Sequence, residues 1–240
     1  MTLLTLAARS TMKGARQVLR WSGVPFNAVR SETVLVPICP LDPTHLPALT
    51  KHLLSLGEHD RYLRFGYAAT DEQIIRYLQG LDFERDEIYG IFNRDLEVIA
   101  MAHLAIMKGE GKQPSAEFGV SVCVSARGRG YGGRLFERAV MHARNQKISL
   151  IYIHALSENA PMIRIARKSG ATLERDGSET EAYLRLPKRT LETRLTEVVS
   201  DQFAQVNYNV KEDSKRFWDF LAQVQEIRQG VRKARHQSAE

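Results

Sequence analysis

Cysteine is almost missing from this chain: Cys39 and Cys123 are the two among 240 residues. Both fall in apolar, strand-like stretches, which suits packed small hydrophobes better than a disulfide, and neither has the spacing of a metal-ligand set. No metal is expected. Long apolar runs are missing too. None approaches the roughly 18 residues that span a bilayer, so no membrane partner is expected, and a reducing cytoplasm is the economical location. Acidic residues are absent from positions 1–31, where Arg9, Lys13, Arg16, Arg20 and Arg30 occur. Such a start resembles an organelle-targeting segment or is a solvated basic arm, and the arm is the simpler reading. No internal repeat is present. The chain's glycine-rich run lacks a following Gly-Lys-Ser/Thr, which excludes a Walker A loop.

What is present is ordinary for a soluble domain: 43% hydrophobic and 26% charged residues, with a net charge of +6. That balance favours anionic partners, yet nucleic acid, a membrane surface and a polyphosphate cofactor all satisfy it. Thr33–Cys39 reads as a first strand, edge-like because of Pro37. Leu46, Leu49, Leu53 and Leu56 form a helical stripe, and 58–65 continues or restarts helix. Thr70 with Gln73 makes a capping box before a helix at 71–80. Glu87–Asn93 and Val98–Met107 flank a tight turn at Arg94-Asp95-Leu96, and Ala116–Val124 follows a polar loop at Lys108–Pro114. A helix is expected over Tyr131–Asn145, a strand over Ile148–Ala155, a short helix over Asn159–Ser169, and a hairpin over Thr172–Leu186 turning at Asp176-Gly177. Beyond Pro187, Leu191, Leu195, Val198, Val199 and Val206 suit one amphipathic helix. Phe217, Leu221, Val224, Ile227 and Val231 suit a second. These two pack on the core or on another subunit, the second option implying a homodimer. The division expected is a basic arm at 1–31, an α/β domain at 32–187 and a helical extension at 188–240.

A strand running into Arg127-Gly-Arg-Gly130-Tyr-Gly132-Gly133 and then a helix makes an anion site. Unpaired amides open the helix, the helix dipole adds positive charge, and glycines let a phosphate reach the main chain. The segment resembles the pyrophosphate signature Arg/Gln-x-x-Gly-x-Gly/Ala of the GNAT N-acetyltransferase superfamily. Ala116–Val122 looks like that family's fourth strand, Ile148–Ala155 like its fifth, and Glu158-Asn159…Ser169-Gly170 like the segment after it. The resemblance covers about 33–186. Arg61-Tyr-Leu-Arg-Phe65, Ala116-Glu117 and Glu158-Asn159…Met162 are similar to the GNAT domain of bacterial protein-lysine acetyltransferases.

The resemblance implies an α/β (α+β) fold: a mixed, mostly antiparallel sheet splayed between strands 4 and 5, with flanking helices. It implies acetyl transfer from acetyl-CoA to a primary amine, protein lysine or small molecule, in a ternary complex. Amides of Arg129, Gly130, Gly132 and Gly133, with Arg127, Tyr131 and Arg134 nearby, would hold the pyrophosphate. Val122 and Val124 would pair with the pantetheine arm, and Asn159 would contact the cofactor side of the fifth strand. Glu117 occupies the place of the family's general base; on residue physics alone it is equally an ordinary strand-start carboxylate. Many members carry a leaving-group tyrosine where this chain has Ala166, and an aromatic where it has Ala171. A catalytically weak acyl-CoA sensor is therefore the alternative. His103 reads as a packed or surface histidine and not as a catalyst. His45, His52 and His59, seven apart, lack the carboxylates of a metal site. A nucleic-acid role for the Arg-Gly-rich run ranks below both, because a strand and a helix bracket it.

Overall fold

The computed structural model describes residues 36–107, 114–187 and 196–216. The expected basic arm, most of the 108–114 loop and the helix expected around Phe217–Val231 lie outside these residues.

Period-2 apolar patterning builds one seven-stranded sheet in the order β1-β2-β3-β4-β5-β7-β6. Its strands are β1 (Cys39–Pro40), β2 (Glu87–Phe92), β3 (Val98–Met107), β4 (Ser115–Val122), β5 (Leu150–Leu156), β6 (Thr172–Asp176) and β7 (Glu179–Arg185). All neighbours are antiparallel except β4 and β5. The helices are α1 (Leu46–Leu54), α2 (Glu58–Phe65), α3 (Asp71–Gln79), α4 (Tyr131–Asn145), α5 (Ala160–Lys168) and α6, helical over 196–216. No helix among the described residues is long and apolar enough to cross a membrane.

Alternation along the strands feeds two cores. Ala102, Leu104, Ala116, Phe118, Ile151 and Ile153 pack with Leu135, Phe136 and Ala139 of α4. On the other face Ile88 and Met101 pack with Leu49 and Leu53 of α1 and Ile74 and Leu78 of α3. The capping box of α3 forms as expected: Gln73 N donates to Thr70 Oγ1 and Thr70 N to Gln73 Oε1.

Three expectations change. Within the Thr33–Cys39 stretch, Val36–Ile38 is not strand, and β1 is confined to Cys39–Pro40, opposite Gly90 and Tyr89. β4 ends at Val122, so Val124 begins a 3-10 turn instead of closing the strand. On α6, Val198, Val199 and Val206 face solvent. The seated face is Glu197, Asp201, Ala204, Tyr208 and Lys211, chosen by polar partners that apolar periodicity does not register. Arg138 donates to Glu197 and Asp201, Cys39 Sγ to Ala204 O, and Lys211 Nζ to Phe92 O. The helix thereby covers the β1 end of the sheet, where bare edge groups would otherwise invite pairing.

His52 is buried between α1 and the sheet. Its Nδ1 donates to Val98 O at 2.9 Å and its Nε2 accepts from Ser121 Oγ at 2.8 Å. Burial pushes its pKa from 6.5 down to about 4. A folded value below the unfolded one means this stability is complete above pH 6.5 and is lost as pH falls to 4, on the order of 2–3 kcal/mol. His52→Gln is expected to flatten the pH dependence of thermal unfolding across that window. An unchanged slope would assign the acid sensitivity elsewhere.

Candidate active site

β4 pairs with β5 only from Ser115 to Glu117, opposite Leu150 to Tyr152. Beyond that point β4 stays with β3 as far as Val122, while β5 stays with β7 as far as Leu156. The sheet therefore forks, and the β5-facing edge of β4 from Phe118 to Val122 has no strand partner. Main-chain donors and acceptors along such an edge require other partners.

At the head of the fork, Cys123 N donates to Ile99 O at 2.9 Å and the chain turns through Val124–Ala126. Arg127 secures the turn: its Nε donates to Val122 O at 3.3 Å, and its guanidinium lies 2.6 Å from Asp60 of α2. Gly128 and Gly130 both adopt φ of 76°, open to glycine with little strain. Gly130 is the N-cap of α4 and supplies no side-chain cap, so the amides of Tyr131, Gly132 and Gly133 open the helix without one. Arg134 N makes the first helical bond, to Gly130 O at 3.1 Å. Arg129 lies exposed in the turn. A Cβ on Gly132 would sit 3.2 Å from Ile165 of α5, so packing accounts for that glycine. Gly133 is different. Its φ is not positive and nothing lies within 4 Å of an added Cβ. A glycine inside a helix is disfavoured by about 1 kcal/mol against alanine, and nothing among the described residues explains this one.

Glu117 is the last β4 residue paired with β5, and it is exposed. With Gly119 and Ser121 it shares the face turned toward α1–α3. Tyr152 stands opposite it in register, its ring against those of His154 and Tyr183. Beside Glu117 a polar chain crosses the sheet. Arg64 Nη2 donates to Tyr77 Oη at 2.9 Å, Tyr77 Oη meets His103 Nδ1 at 2.8 Å, and His103 Nε2 meets Asp86 Oδ2 at 3.1 Å. Burial lowers the pKa of His103, so the neutral ring accepts from Tyr77 and donates to Asp86. Burial alone would raise the Asp86 carboxyl, but bonds from Arg85, Ile106 N and His103 outweigh it and hold the group below its ordinary value. Of the packed and surface readings the packed one holds, with His103 as the middle of a relay. Tyr77 reads as part of an apolar helix stripe and Asp86 carries no local signal; only the fold brings them together.

The relay holds the Arg64 guanidinium against Gly119, between the rings of Phe65 and Tyr77 at 5.1 and 5.4 Å. Its Nε is buried with no partner among the described residues. A Cβ on Gly119 would lie 2.8 Å from that guanidinium. Gly119→Ala is therefore expected to displace the mobile end of Arg64 and lower stability by about 0.5–1.5 kcal/mol, the net worth of its hydrogen bond to Tyr77, read by thermal unfolding. A neutral effect would mean the guanidinium shifts freely.

Asn159 caps α5. Its Oδ1 accepts from Met162 N at 3.2 Å, and its Nδ2 donates to Leu63 O at 3.2 Å, tying α5 to α2. Ala166 is buried in the core. An open cleft of about 500 Å³ on the outer side of α5 is lined by Arg164, Arg167, Lys168 and Arg175, and contains neither Glu117 nor the glycine turn. Among the described residues no three His, Cys, Asp or Glu side chains gather as a metal site would require.

A forked mixed sheet whose fourth strand leads through a glycine turn into a helix defines a class of proteins, and comparison with known proteins agrees. The family profile of the acetyltransferase (GNAT) domain matches residues 36–172, more than half of the chain. The chain belongs to the GNAT acetyltransferase family. Among solved structures it is similar in fold to the GNAT domain of S. lividans PAT, at 21% identity and a TM-score of 0.53, covering 62% of this chain and 89% of that one. It is also similar to yncA from Salmonella typhimurium, solved with its cofactor acetyl-CoA, at 16% identity and a TM-score of 0.50, covering 65% and 96%. A GNAT-family acetyltransferase from Streptococcus pneumoniae matches at 12% identity and a TM-score of 0.51, covering 62% and 98%.

Proposed function

We propose that this protein transfers an acetyl group from acetyl-CoA to a primary amine, a protein lysine or a small amine, within a ternary complex. Gly133 carries the reading. Its missing side chain answers no need among the described residues, yet it sits among the uncapped amides at the start of α4. A diphosphate resting on those amides explains both features. Arg129, Gly130, Tyr131, Gly132, Gly133 and Arg134 would hold it through the main chain, and Arg127 would keep the turn in place. The bare β4 edge at Val122 and the turn at Val124 would receive the pantetheine arm. Asn159 would fix the start of α5 across the fork. When bound, acetyl-CoA supplies the activated acetyl group.

The acceptor must reach the fork as a free amine, although an unperturbed lysine amine has a pKa near 10.4. Glu117, exposed at the point of the fork, is the group to take that proton, and the Arg64–Tyr77–His103–Asp86 chain would shape the wall beside it. Ala166 offers no proton to a departing thiolate, so solvent or another side chain would do so. That vacancy favours a second reading, a cofactor-binding member with slow turnover acting as a sensor. Incubation with acetyl-CoA and a panel of lysine peptides and small amines, read by mass spectrometry, separates the two. Acetylated product dependent on Glu117 is expected. Cofactor binding without any product would leave the sensor.

A further inference from the structure

α2 reaches both sides of the fork. Asp60 lies 2.6 Å from Arg127 in the turn after β4, and Leu63 O accepts from Asn159 Nδ2 at the start of α5. Arg64 follows directly, and its guanidinium rests on Gly119, where an added Cβ would lie 2.8 Å from Cζ, Nη1 and Nη2 alike. A guanidinium has five N–H donors, and this one uses a single bond, from Nη2 to Tyr77 Oη. Among the described residues its Nε and Nη1 have no hydrogen-bond partner, and it has no ion pair. The carboxylates of the surrounding elements are engaged elsewhere: Asp60 with Arg127, Asp71 with Arg61, Asp86 with Arg85 and His103.

The charge is therefore uncompensated. Burial chiefly, and then the positive charge of Arg64, lower the pKa values of His52 and His103. A half-buried cation calls for a partner, since leaving water is costly for an unpaired charge. Phe65 and Tyr77 flank the guanidinium and fix its direction, and its fork of donors matches a carboxylate. Gly119 stands two residues beyond Glu117 on the same face of β4, a Cα separation of about 7 Å at the rise of a strand. The site thus presents an anion, Glu117, beside a cation, Arg64, where β5 leaves β4. An ammonium on the first and a carboxylate on the second, each hydrogen-bonded at about 2.8 Å, span that gap when one or a few carbons separate them. A lysine side chain or a polyamine offers no anion and is repelled by Arg64.

Resting on the acetyl-transfer reading and deepening it, we propose that the acceptor is an amino acid, a small zwitterion whose carboxylate is held by Arg64 while its amine meets Glu117. Glu117 takes one proton from the ammonium. The freed nitrogen bonds to the acetyl carbonyl carbon as the carbon–sulfur bond breaks, and the nitrogen's second proton passes through solvent to the departing sulfur. The carboxylate stays on Arg64 throughout.

Acetylation kinetics on the full chain test it, using acetyl-CoA and amino acids of varied side chain, each beside its carboxamide, which keeps the size and loses the charge. At least one amino acid is expected to exceed its carboxamide, and any lysine peptide, by roughly 10–100-fold in kcat/KM, the range that hydrogen bonds to a charged group supply. Arg64→Gln is expected to bring the ratio of acid to carboxamide within about threefold, as a neutral hydrogen bond would leave it, chiefly through KM. Arg64→Lys is expected to retain part of the preference. A variant that merely folds poorly lowers both acceptors together and keeps their ratio, which would overturn the inference. So would a lysine peptide preferred over every amino acid. Succinyl-CoA in place of acetyl-CoA tests the other source of a carboxylate: an Arg64-dependent gain with a plain amine would put the anion on the acyl group and overturn the inference too. Should no acceptor be acetylated, the acetyl-transfer reading fails by itself, and calorimetric titration of the same pairs into the protein with coenzyme A decides. Binding of the acid alone, lost in Arg64→Gln, upholds the carboxylate site; equal or absent binding overturns it.

Discussion

Glu117→Gln is expected to lower turnover by about 10²–10⁴-fold, the range a positioned general base supplies, while acetyl-CoA affinity stays within twofold of wild type. The physical basis is narrow. An acceptor amine near pKa 10.4 is almost wholly protonated at pH 7, and glutamine matches glutamate in size but accepts no proton. Glu117 is exposed, so its replacement by a side chain of the same size should leave folding untouched. A structural carboxylate and a base then differ in pH profile. If Glu117 removes the amine's proton, the variant's deficit shrinks as pH rises toward the amine's own pKa. A deficit that is constant with pH would assign Glu117 to positioning, and no deficit would remove it from the reaction.

Arg138→Met is expected to be the most damaging single change to stability, at about 3–5 kcal/mol, the usual result of stranding buried charge. Arg138 is buried on α4 and donates to Glu197 at 2.8 Å and Asp201 at 2.6 Å, with its guanidinium 4.8 Å from the Tyr89 ring. Burial alone would raise the Glu197 carboxyl. Hydrogen bonds from His142, Asn145 and Arg138 outweigh that and hold it down at about 2, against an ordinary 4.5. A depressed folded value makes this stability complete above pH 4.5 and lost as pH falls toward 2. The gap between wild type and variant should therefore narrow on acidification through that window. Methionine keeps most of the arginine's volume, so the loss reads the charge rather than a cavity. At about 2–4 °C per kcal/mol for a chain of this size, unfolding should fall by roughly 6–20 °C. A drop under about 2 °C would mean α6 contributes little to holding the domain together.

Much of the fold was legible because local signals and tertiary structure agree. α4 begins and ends where glycine and apolar spacing place it, at Tyr131 and Asn145, and the capping box at Thr70 marks the start of α3. The glycine turn was legible for the same reason, since its residues are consecutive in sequence. What was not legible depends on distance. Arg64, Tyr77, Asp86 and His103 come from two helices, a loop and a strand, and no spacing links them. The seated face of α6 escaped because ion pairing with Arg138, and not apolar periodicity, orients the helix; the valines that periodicity selects point outward.

A calorimetric titration of coenzyme A into the full chain, wild type beside Gly133→Val, addresses the grip of the glycine turn on a diphosphate. Nothing among the described residues lies within 4 Å of a Cβ added at Gly133, and glycine is the poorer helix former, so the variant should unfold at or slightly above the wild-type temperature. One equivalent should bind wild type, and the variant should bind at least about tenfold more weakly, a loss of roughly 1.4 kcal/mol. Equal affinity in the two proteins, or no binding to either, would contradict a cofactor held at the start of α4.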